Sequence, residues 1–300
     1  MAASNRDIHR KAEEIAAGLP PLMVAAERVA STVSQGVHGR RRVGQGETFW
    51  QFRRYQSGDS AQLIDWRQSA KSQPLYVRET EWEAAESVWL WRDGSASMHY
   101  SSGKEYPAKT DRADLLLLAL ASLLVRGGEH MALLGSGKTP ATGRAALGQV
   151  AATLESERTR DEDGHASLPV FEPLPRYARV VMIGDFLSPL DEINSIVGDF
   201  AGHGVRGHLL RVLDPAEETL PFSGRIHFEG PEKEGDLIIG RVESVRRDYS
   251  EAMNAHHRGL ETLVRHAGWT FATHRTDRPP ESALLALYLV LSQPGPEIGT

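Results

Sequence analysis

The spacing of hydrophobic residues changes part-way along the chain and predicts two kinds of structure. Before the change, helices are predicted over residues 7–18 and 22–34, on either side of Pro20-Pro21, because proline resists a helix interior. After it, short apolar runs such as ESVWLWRD and ARVVMIGDFLS alternate with longer helical segments. We therefore predict N-terminal helices and a basic extended segment packed on the main domain over 1–83, and the main domain itself over 84–300.

The main domain has the pattern of an α/β fold. Several strands are apolar on both faces, which is typical of a doubly wound, mostly parallel sheet with helices on both sides. The segment DRADLLLLALASLLVRGG is predicted to be a buried helix, with Asp111 as its N-cap and Gly127-Gly128 as its stop. Residues 216–243 break the alternation and predict an irregular insertion with two short extended pieces.

A carboxylate and two hydroxyls follow the first strand of the predicted sheet, at Asp93, Ser95 and Ser97 in WLWRDGSASMHY. Asp185 follows a middle strand, and the carboxyl ends of parallel strands meet at one edge of a sheet. Carboxylate and hydroxyl oxygens are hard ligands of the kind that Mg²⁺ or Mn²⁺ prefers. The sequence therefore predicts a divalent cation site with an open position for a carboxylate from a partner.

Other uses of this loop stay open on the residues alone. A nucleophilic Asp93 would commonly be followed by a second aspartate two residues later, where this chain has Ser95. The Gly-x-Ser-x-Gly pattern of serine hydrolases is missing, and GSGKTP resembles only the end of a phosphate-binding loop. A metal-dependent hydrolase with His99 as proton carrier, or a plain turn capped by these side chains, remains an alternative.

Composition restricts the class of protein and its expected location. With 300 residues, 40% hydrophobic and 25% charged, the chain has the profile of a folded domain. The absence of cysteine excludes disulfides, thiolate metal sites, iron–sulfur clusters and cysteine nucleophiles. The first residues show no signal-peptide pattern, and the longest apolar run, ALLALYLVL, is far shorter than the ~20 residues of a membrane span. A cytoplasmic protein without a membrane span is expected.

Positive charge is concentrated in residues 36–80, although the whole chain has a net charge of −6. That segment contains eight Lys and Arg residues against four acidic ones. It is interpreted either as an internally paired segment docked on the domain or as a surface for an acidic protein partner. Nucleic acid is not expected as a partner.

The loop DGSASM resembles the metal-ion-dependent adhesion site (MIDAS) of von Willebrand factor A-type domains, whose pattern is Asp-x-Ser-x-Ser. The resemblance implies that a threonine from the next loop and an aspartate from a middle strand complete the cup. Asp185 matches that aspartate. Thr142 is the matching threonine, with Thr139 as the alternative.

The segment before the first strand resembles the bacterial family of domain of unknown function number fifty-eight. Its motifs occur here in the family's order, at Arg53 and Tyr55, Gly58-Asp59, Ile64-Asp65-Trp66, Ser69-Ala70 and Val77-Arg78-Glu79. The later LDPAEETLPFSG resembles the family's Asp-Pro-x-Glu segment. This resemblance implies a von Willebrand factor A-like fold. It also implies a chaperone-like role with a MoxR-type AAA+ ATPase in maturation or assembly of a client protein. A non-enzymatic binding module is favoured by the motif and by the absence of a recognisable nucleophile–base pair.

Overall fold

The structure is a computed structural model with two compact units. It describes residues 21–37, 50–54, 75–80, 87–158, 166–175, 177–230 and 235–291. One unit combines helix α1 (Pro21–Val37) with the elements that follow residue 86, and the other contains strands β1 (Trp50–Arg54) and β2 (Tyr76–Thr80). The second unit's two strands pair in antiparallel fashion.

The N-terminal predictions can be compared with these elements only in part. The helix predicted over 22–34 is present as α1, and β2 covers the segment predicted to be extended. The helix predicted over 7–18 lies outside the described residues, as does most of the basic segment 36–80. The predicted division placed α1 with the basic segment, whereas the structure groups it with the larger unit.

The larger unit alternates strands and helices as predicted. Its strands are β3 (Ser87–Arg92), β4 (His130–Leu133), β5 (Arg179–Gly184), β6 (Arg206–Leu213), β7 (Ile226–Glu229), β8 (Asp236–Ile239) and β9 (Thr270–Arg275). Its helices are α2 (Lys109–Gly127), α3 (Gly143–Arg158), α4 (Leu190–Gly202), α5 (Pro215–Thr219), α6 (Arg246–His266) and α7 (Pro280–Leu291). None of the helices in the described ranges is long and apolar enough to cross a membrane.

Five strands form one sheet in the order β4-β3-β5-β6-β9, and every pair in it is parallel. Neighbouring residues of a strand point to opposite faces, so Val181 and Ile183 pack with α2, α3 and α7, while Val180 and Met182 pack with α4 and α6. All six residues of β5 are buried because both faces are covered. The predicted von Willebrand factor A-like, doubly wound α/β fold is confirmed.

Helix α2 crosses the centre of one face and differs from the prediction at its start. It begins at Lys109 with Ala108 as the N-cap residue, so the prediction of Asp111 as N-cap was wrong. Asp111 instead lies in the first turn, where an acidic side chain interacts favourably with the helix dipole. The predicted stop is confirmed, because Gly128 adopts φ 77° and its N–H bonds to the carbonyls of Leu124 and Val125.

The insertion predicted over 216–243 contains helix α5 and a β ribbon. Strands β7 and β8 pair in antiparallel fashion, which accounts for the two short extended pieces predicted there. Two apolar side chains of β8, Leu237 and Ile238, are exposed by 60% and 55% of their surface. The ribbon is therefore a largely solvent-facing feature of the larger unit.

Candidate functional site

The site lies at the point where the chain changes direction across the sheet. From β3 the connection through α2 leads outward to β4, whereas from β5 the connection through α4 leads the opposite way to β6. Diverging connections leave a crevice at the carboxyl ends of the two central strands, which is where ligands bind in such sheets. Asp93 follows β3 and Asp185 follows β5, so both carboxylates lie at this crevice.

Four of the five residues of the predicted cup are brought together. The fully buried Asp93 accepts a hydrogen bond through Oδ1 from the Ser95 N–H at 2.9 Å. The Oγ atoms of Ser95 and Ser97 are 3.1 Å apart, and Ser97 donates to Asp185 Oδ2 at 2.7 Å. No hydrogen bond from the described residues reaches the buried Oδ2 of Asp93. We call Asp93, Ser95, Ser97 and Asp185 the cup.

A glycine makes the close approach of the two strand ends possible. Gly184 precedes Asp185, and a Cβ atom at Gly184 would lie 2.7 Å from the Cβ of Asp93. A backbone hydrogen bond also joins the two strand ends, because the Asp93 N–H donates to the Ile183 carbonyl at 2.8 Å. The two carboxylates are thus held by the most central strands of the sheet.

The loop after β5 is fixed from two further elements. Arg211 of β6 donates from Nε to the Asp185 carbonyl at 3.1 Å, and a ring nitrogen of His256 on α6 lies 2.7 Å from the Phe186 carbonyl. Phe186 itself has φ 49°, a left-handed conformation that is uncommon for a bulky residue. This sharp turn directs Asp185 toward the loop that follows β3.

The loop after β3 is anchored by a buried ion-pair network. Arg92 contacts the Asp114 carboxylate of α2 at 2.8 Å and Glu157 of α3 at 2.9 Å. Burial raises the pKa of Asp114 to about 6, although Arg92 opposes the shift. Two helices therefore hold the residue that immediately precedes Asp93.

The structure does not bring the predicted threonine to the cup. Ala141 forms an antiparallel bridge with Met131 along the edge of β4 that faces away from β3. Thr142 follows that bridge at the start of α3, and Thr139 precedes it; both are exposed. The whole width of β4 lies between these threonines and the loop that carries Asp93.

A buried lysine that sequence reasoning missed lies at the cup instead. Lys109, the first residue of α2, has no exposed surface, and its Nζ lies 2.8 Å from Asp185 Oδ2 and 2.5 Å from Glu217 Oε1. Burial lowers the pKa of Lys109, but the two carboxylates outweigh it and raise the pKa above its usual value. The sequence offered only one weak signal, a basic residue at the start of a buried helix.

Helix α5 presents Glu217 to this lysine. Asp214 caps the helix through Oδ1, which accepts from the Ala216 N–H at 2.8 Å, and Glu217 Oε2 accepts from the Asp214 N–H at 2.8 Å. This capping box uses two orphan donors of the helix start and fixes the Glu217 side chain. The second oxygen of Asp214 accepts from the Ser102 N–H at 2.9 Å, which ties α5 to the segment between β3 and α2, here called the cup loop. The Asp-Pro-x-Glu segment is therefore part of the site.

Electrostatics at the cup favour the gain of positive charge. Burial, and after it the nearby Asp185 carboxylate, raise the pKa of Asp93 to about 7, although Ser95 and Lys109 act in the opposite direction. Burial also raises the pKa of Glu217, although Lys109 lowers it. An added cation would relieve the repulsion between Asp93 and Asp185.

The cup residues fit a small divalent cation. Two neighbouring ligands of an octahedral ion with bonds of about 2.0–2.1 Å are roughly 2.9 Å apart, close to the 3.1 Å between the two serine hydroxyls. The unbonded oxygen of Asp93 offers a third donor. Within the described residues there is no group of three histidine or acidic side chains that could hold a metal, so such an ion would depend on the hydroxyls.

His99 lies at the end of the 3₁₀ turn Ala96–His99 and is exposed. No hydrogen bond joins its ring to the cup among the residues that the structure describes. Its position gives no support to its predicted use as a proton carrier.

The fold and the crevice at its centre define a von Willebrand factor A-like α/β protein. The family model described as "Protein of unknown function DUF58" matches residues 51–259, and the chain belongs to this family. Similar proteins include the uncharacterised proteins Rv1480 of Mycobacterium tuberculosis (strain ATCC 25618 / H37Rv) and Mb1516 of Mycobacterium bovis. Each is 27% identical over 276 residues, which cover 88% of this chain and 86% of the relative.

Remote likenesses to solved structures also occur. An aerotolerance-related membrane protein from Bacteroides fragilis shares 15% identity over 69% of this chain and 98% of its own, with a TM-score of 0.37. BatB from Bacteroides thetaiotaomicron shares 12% over 69% and 98%, with a TM-score of 0.38. The SpRpn10 VWA domain shares 8% over 72% and 100%, with a TM-score of 0.32. The fold class of this chain follows from its own strand order.

Proposed function

We propose that this chain is a non-enzymatic protein-binding module that captures an acidic group of a partner through a divalent cation, Mg²⁺ or Mn²⁺. Asp93, Ser95 and Ser97 would hold the ion, with Asp185 beside them. The observation that carries the proposal is the buried, unbonded Oδ2 of Asp93, in the same loop as two serine hydroxyls 3.1 Å apart. A bound ion supplies charge at the crevice and keeps a coordination position for a ligand from outside.

Lys109 shapes how the ion would be held. Its ammonium group already bonds Asp185 Oδ2, which also accepts from Ser97. Asp93 and the two serines therefore remain as the principal ligands, and Asp185 acts mainly by orienting Ser97. This donor set is weakly charged, which predicts modest affinity for the ion and easy exchange.

The partner proposed is a MoxR-type AAA+ ATPase, acting with this chain in chaperone-like maturation or assembly of a client protein. Membership of the DUF58 family supports this part of the proposal. We further propose a cytoplasmic location, because a chain without cysteine suits a reducing compartment.

The decisive experiment measures ion binding and partner capture together. Calorimetric titration of the purified chain with Mn²⁺ should show one saturable site that disappears in Asp93→Ala. A pull-down of the co-expressed ATPase should lose its partner in EDTA and in the same variant. Asp199→Asn, which removes an exposed carboxylate of α4, is the matched control and should behave as wild type.

Two results would speak against the proposal. Undiminished capture of the ATPase in EDTA and in Asp93→Ala would exclude a role for the ion. Metal-dependent turnover in a phosphatase and esterase screen, lost in Asp93→Ala, would favour the hydrolase instead.

A further inference from the structure

A cavity of about 510 Å³ opens directly beside the cup. Ser97 and Asp185 form its polar end, while Leu187, Leu220 and Phe222 form an apolar wall. Its volume is within the range of small-ligand pockets. The cavity therefore extends the crevice from the cup toward the insertion after β6.

Aromatic side chains from three elements complete the cavity. Phe228 of β7 packs edge-on against Phe222, with ring centroids 6.0 Å apart. Tyr249 of α6 and the exposed Tyr100 of the cup loop also line it. Aromatic and aliphatic walls of this kind accept a long aliphatic side chain, and ring faces attract a cation at its end.

The charged groups that line the cavity are all acidic. They are Asp185, Glu192 and Glu217, and no Lys or Arg is among the described residues that line it. Lys109 lies behind the floor, fully buried, where it bonds Asp185 and Glu217. Glu192 is different, since it is exposed in the first turn of α4 and takes part in no ion pair among the described residues.

We propose that this cavity receives the side chain of a Lys or Arg residue of a partner protein. The aliphatic stem packs against Leu220, Phe222 and Phe228, and the cation pairs with Glu192. The charge match holds whether or not the cup carries an ion. With a divalent ion bound, the charge of the ion offsets Asp93 and Asp185, and Lys109 offsets Glu217. The negative charge of Glu192 then remains, as it does when no ion is bound. The inference goes beyond the ion-dependent function proposed above and does not depend on it.

The test uses two short peptides that differ in charge alone. Acetyl-Leu-Arg-Leu-amide and its citrulline analogue, which is neutral and nearly isosteric, are titrated into the ¹⁵N-labelled full chain in low-salt buffer containing EDTA. Shifts of backbone amide signals give the site and the affinity. The arginine peptide should bind about threefold to tenfold more tightly than the citrulline peptide, with shifts centred on the cavity.

Variants separate the contributions of charge and apolar packing. Glu192→Gln should reduce the affinity ratio of the two peptides to about one, whereas Glu261→Gln, which changes a partly exposed carboxylate of α6 outside the cavity, should leave it unchanged. Leu187→Ser removes an exposed wall residue and should weaken both peptides.

Equal affinity of the two peptides for wild type would overturn the inference. So would a ratio that survives in Glu192→Gln, or no saturable shift around the cavity. EDTA is present throughout, so failure here leaves the ion-dependent proposal standing, and failure of that proposal leaves this result unaffected.

Discussion

Replacement of Lys109 by methionine tests how much the buried ammonium group contributes to the fold. The lysine has no exposed surface and bonds Asp185 at 2.8 Å and Glu217 at 2.5 Å. Methionine keeps most of the side-chain volume and removes the charge, so loss of packing contributes little. Two carboxylates would then lie in a buried site without the ammonium group that bonds them both.

The expected loss is a large fraction of the free energy of unfolding. Removing one partner of a buried ion pair costs about 3–5 kcal/mol, and domains are typically stable by about 5–15 kcal/mol. We expect Lys109→Met to lose roughly 4 kcal/mol at neutral pH in EDTA, since protonation of Glu217, whose pKa burial raises, limits the penalty. At acidic pH the penalty should shrink, because protonated carboxyl groups no longer need a counter-charge.

Urea unfolding followed by circular dichroism measures this loss in wild type and variant. Lys104→Met, which removes an exposed lysine of the loop just before α2, is the matched control and should change stability by less than about 0.5 kcal/mol. Added Mg²⁺ should restore part of the loss in Lys109→Met if the ion binds at the cup. A loss below about 1 kcal/mol at neutral pH would refute the reasoning, because a buried ammonium bonded to two carboxylates cannot be that dispensable.

Three further predictions concern the buried groups around the sheet. Burial raises the pKa of Asp93 from 3.8 to about 7, so the stability of the wild type in EDTA should fall as the pH rises from 3.8 to 7. Above pH 7, Asp93→Asn should be more stable than wild type by about 4 kcal/mol. Urea titrations across that pH range check this, and an Asp93→Asn variant no more stable than wild type at alkaline pH would contradict it. Burial lowers the pKa of His208 and of His274 to about 4. Each histidine should therefore lower the free energy of unfolding by about 3 kcal/mol as the pH falls from 6.5 to 4, and glutamine at either position should reduce this pH dependence. Gly184→Ala should lower the melting temperature sharply because its Cβ would lie 2.7 Å from that of Asp93, whereas Gly198→Ala, which meets open space on α4, should raise it slightly.

The sheet could be predicted because its residues carry the information locally. The run VVMIG is apolar at every position, which is typical of a strand covered on both faces, and β5 is buried throughout. The positions of Asp93 and Asp185 followed from the same pattern, since both come directly after such runs. For the residues before β3, the family motifs were the basis of the resemblance to the DUF58 family.

The parts of the site that were missed depend on distant pairing. Lys109 and Glu217 are 108 residues apart in sequence, and only the fold shows that α2 and α5 bring them together. The sequence predicts Thr142 at the cup because it lies in the next loop of the sheet, but the chain turns back along the outer edge of β4 before α3 begins. Neither the direction of a loop nor a long-range ion pair is encoded in local periodicity.

The Lys109–Glu217 bond makes the insertion after β6 an integral part of the cup. A shortened chain that kept the sheet but lost Asp214 and α5 would leave the buried ammonium group with one of its two carboxylate partners and the Ser102 N–H without its acceptor. Loops at the rim of such sheets usually tolerate exchange, because few buried polar groups rely on them. Here, grafting another segment between β6 and α6 would require the graft to supply a carboxylate at the place of Glu217. The insertion is thus constrained in length and chemistry by a residue that lies 108 positions earlier in the sequence.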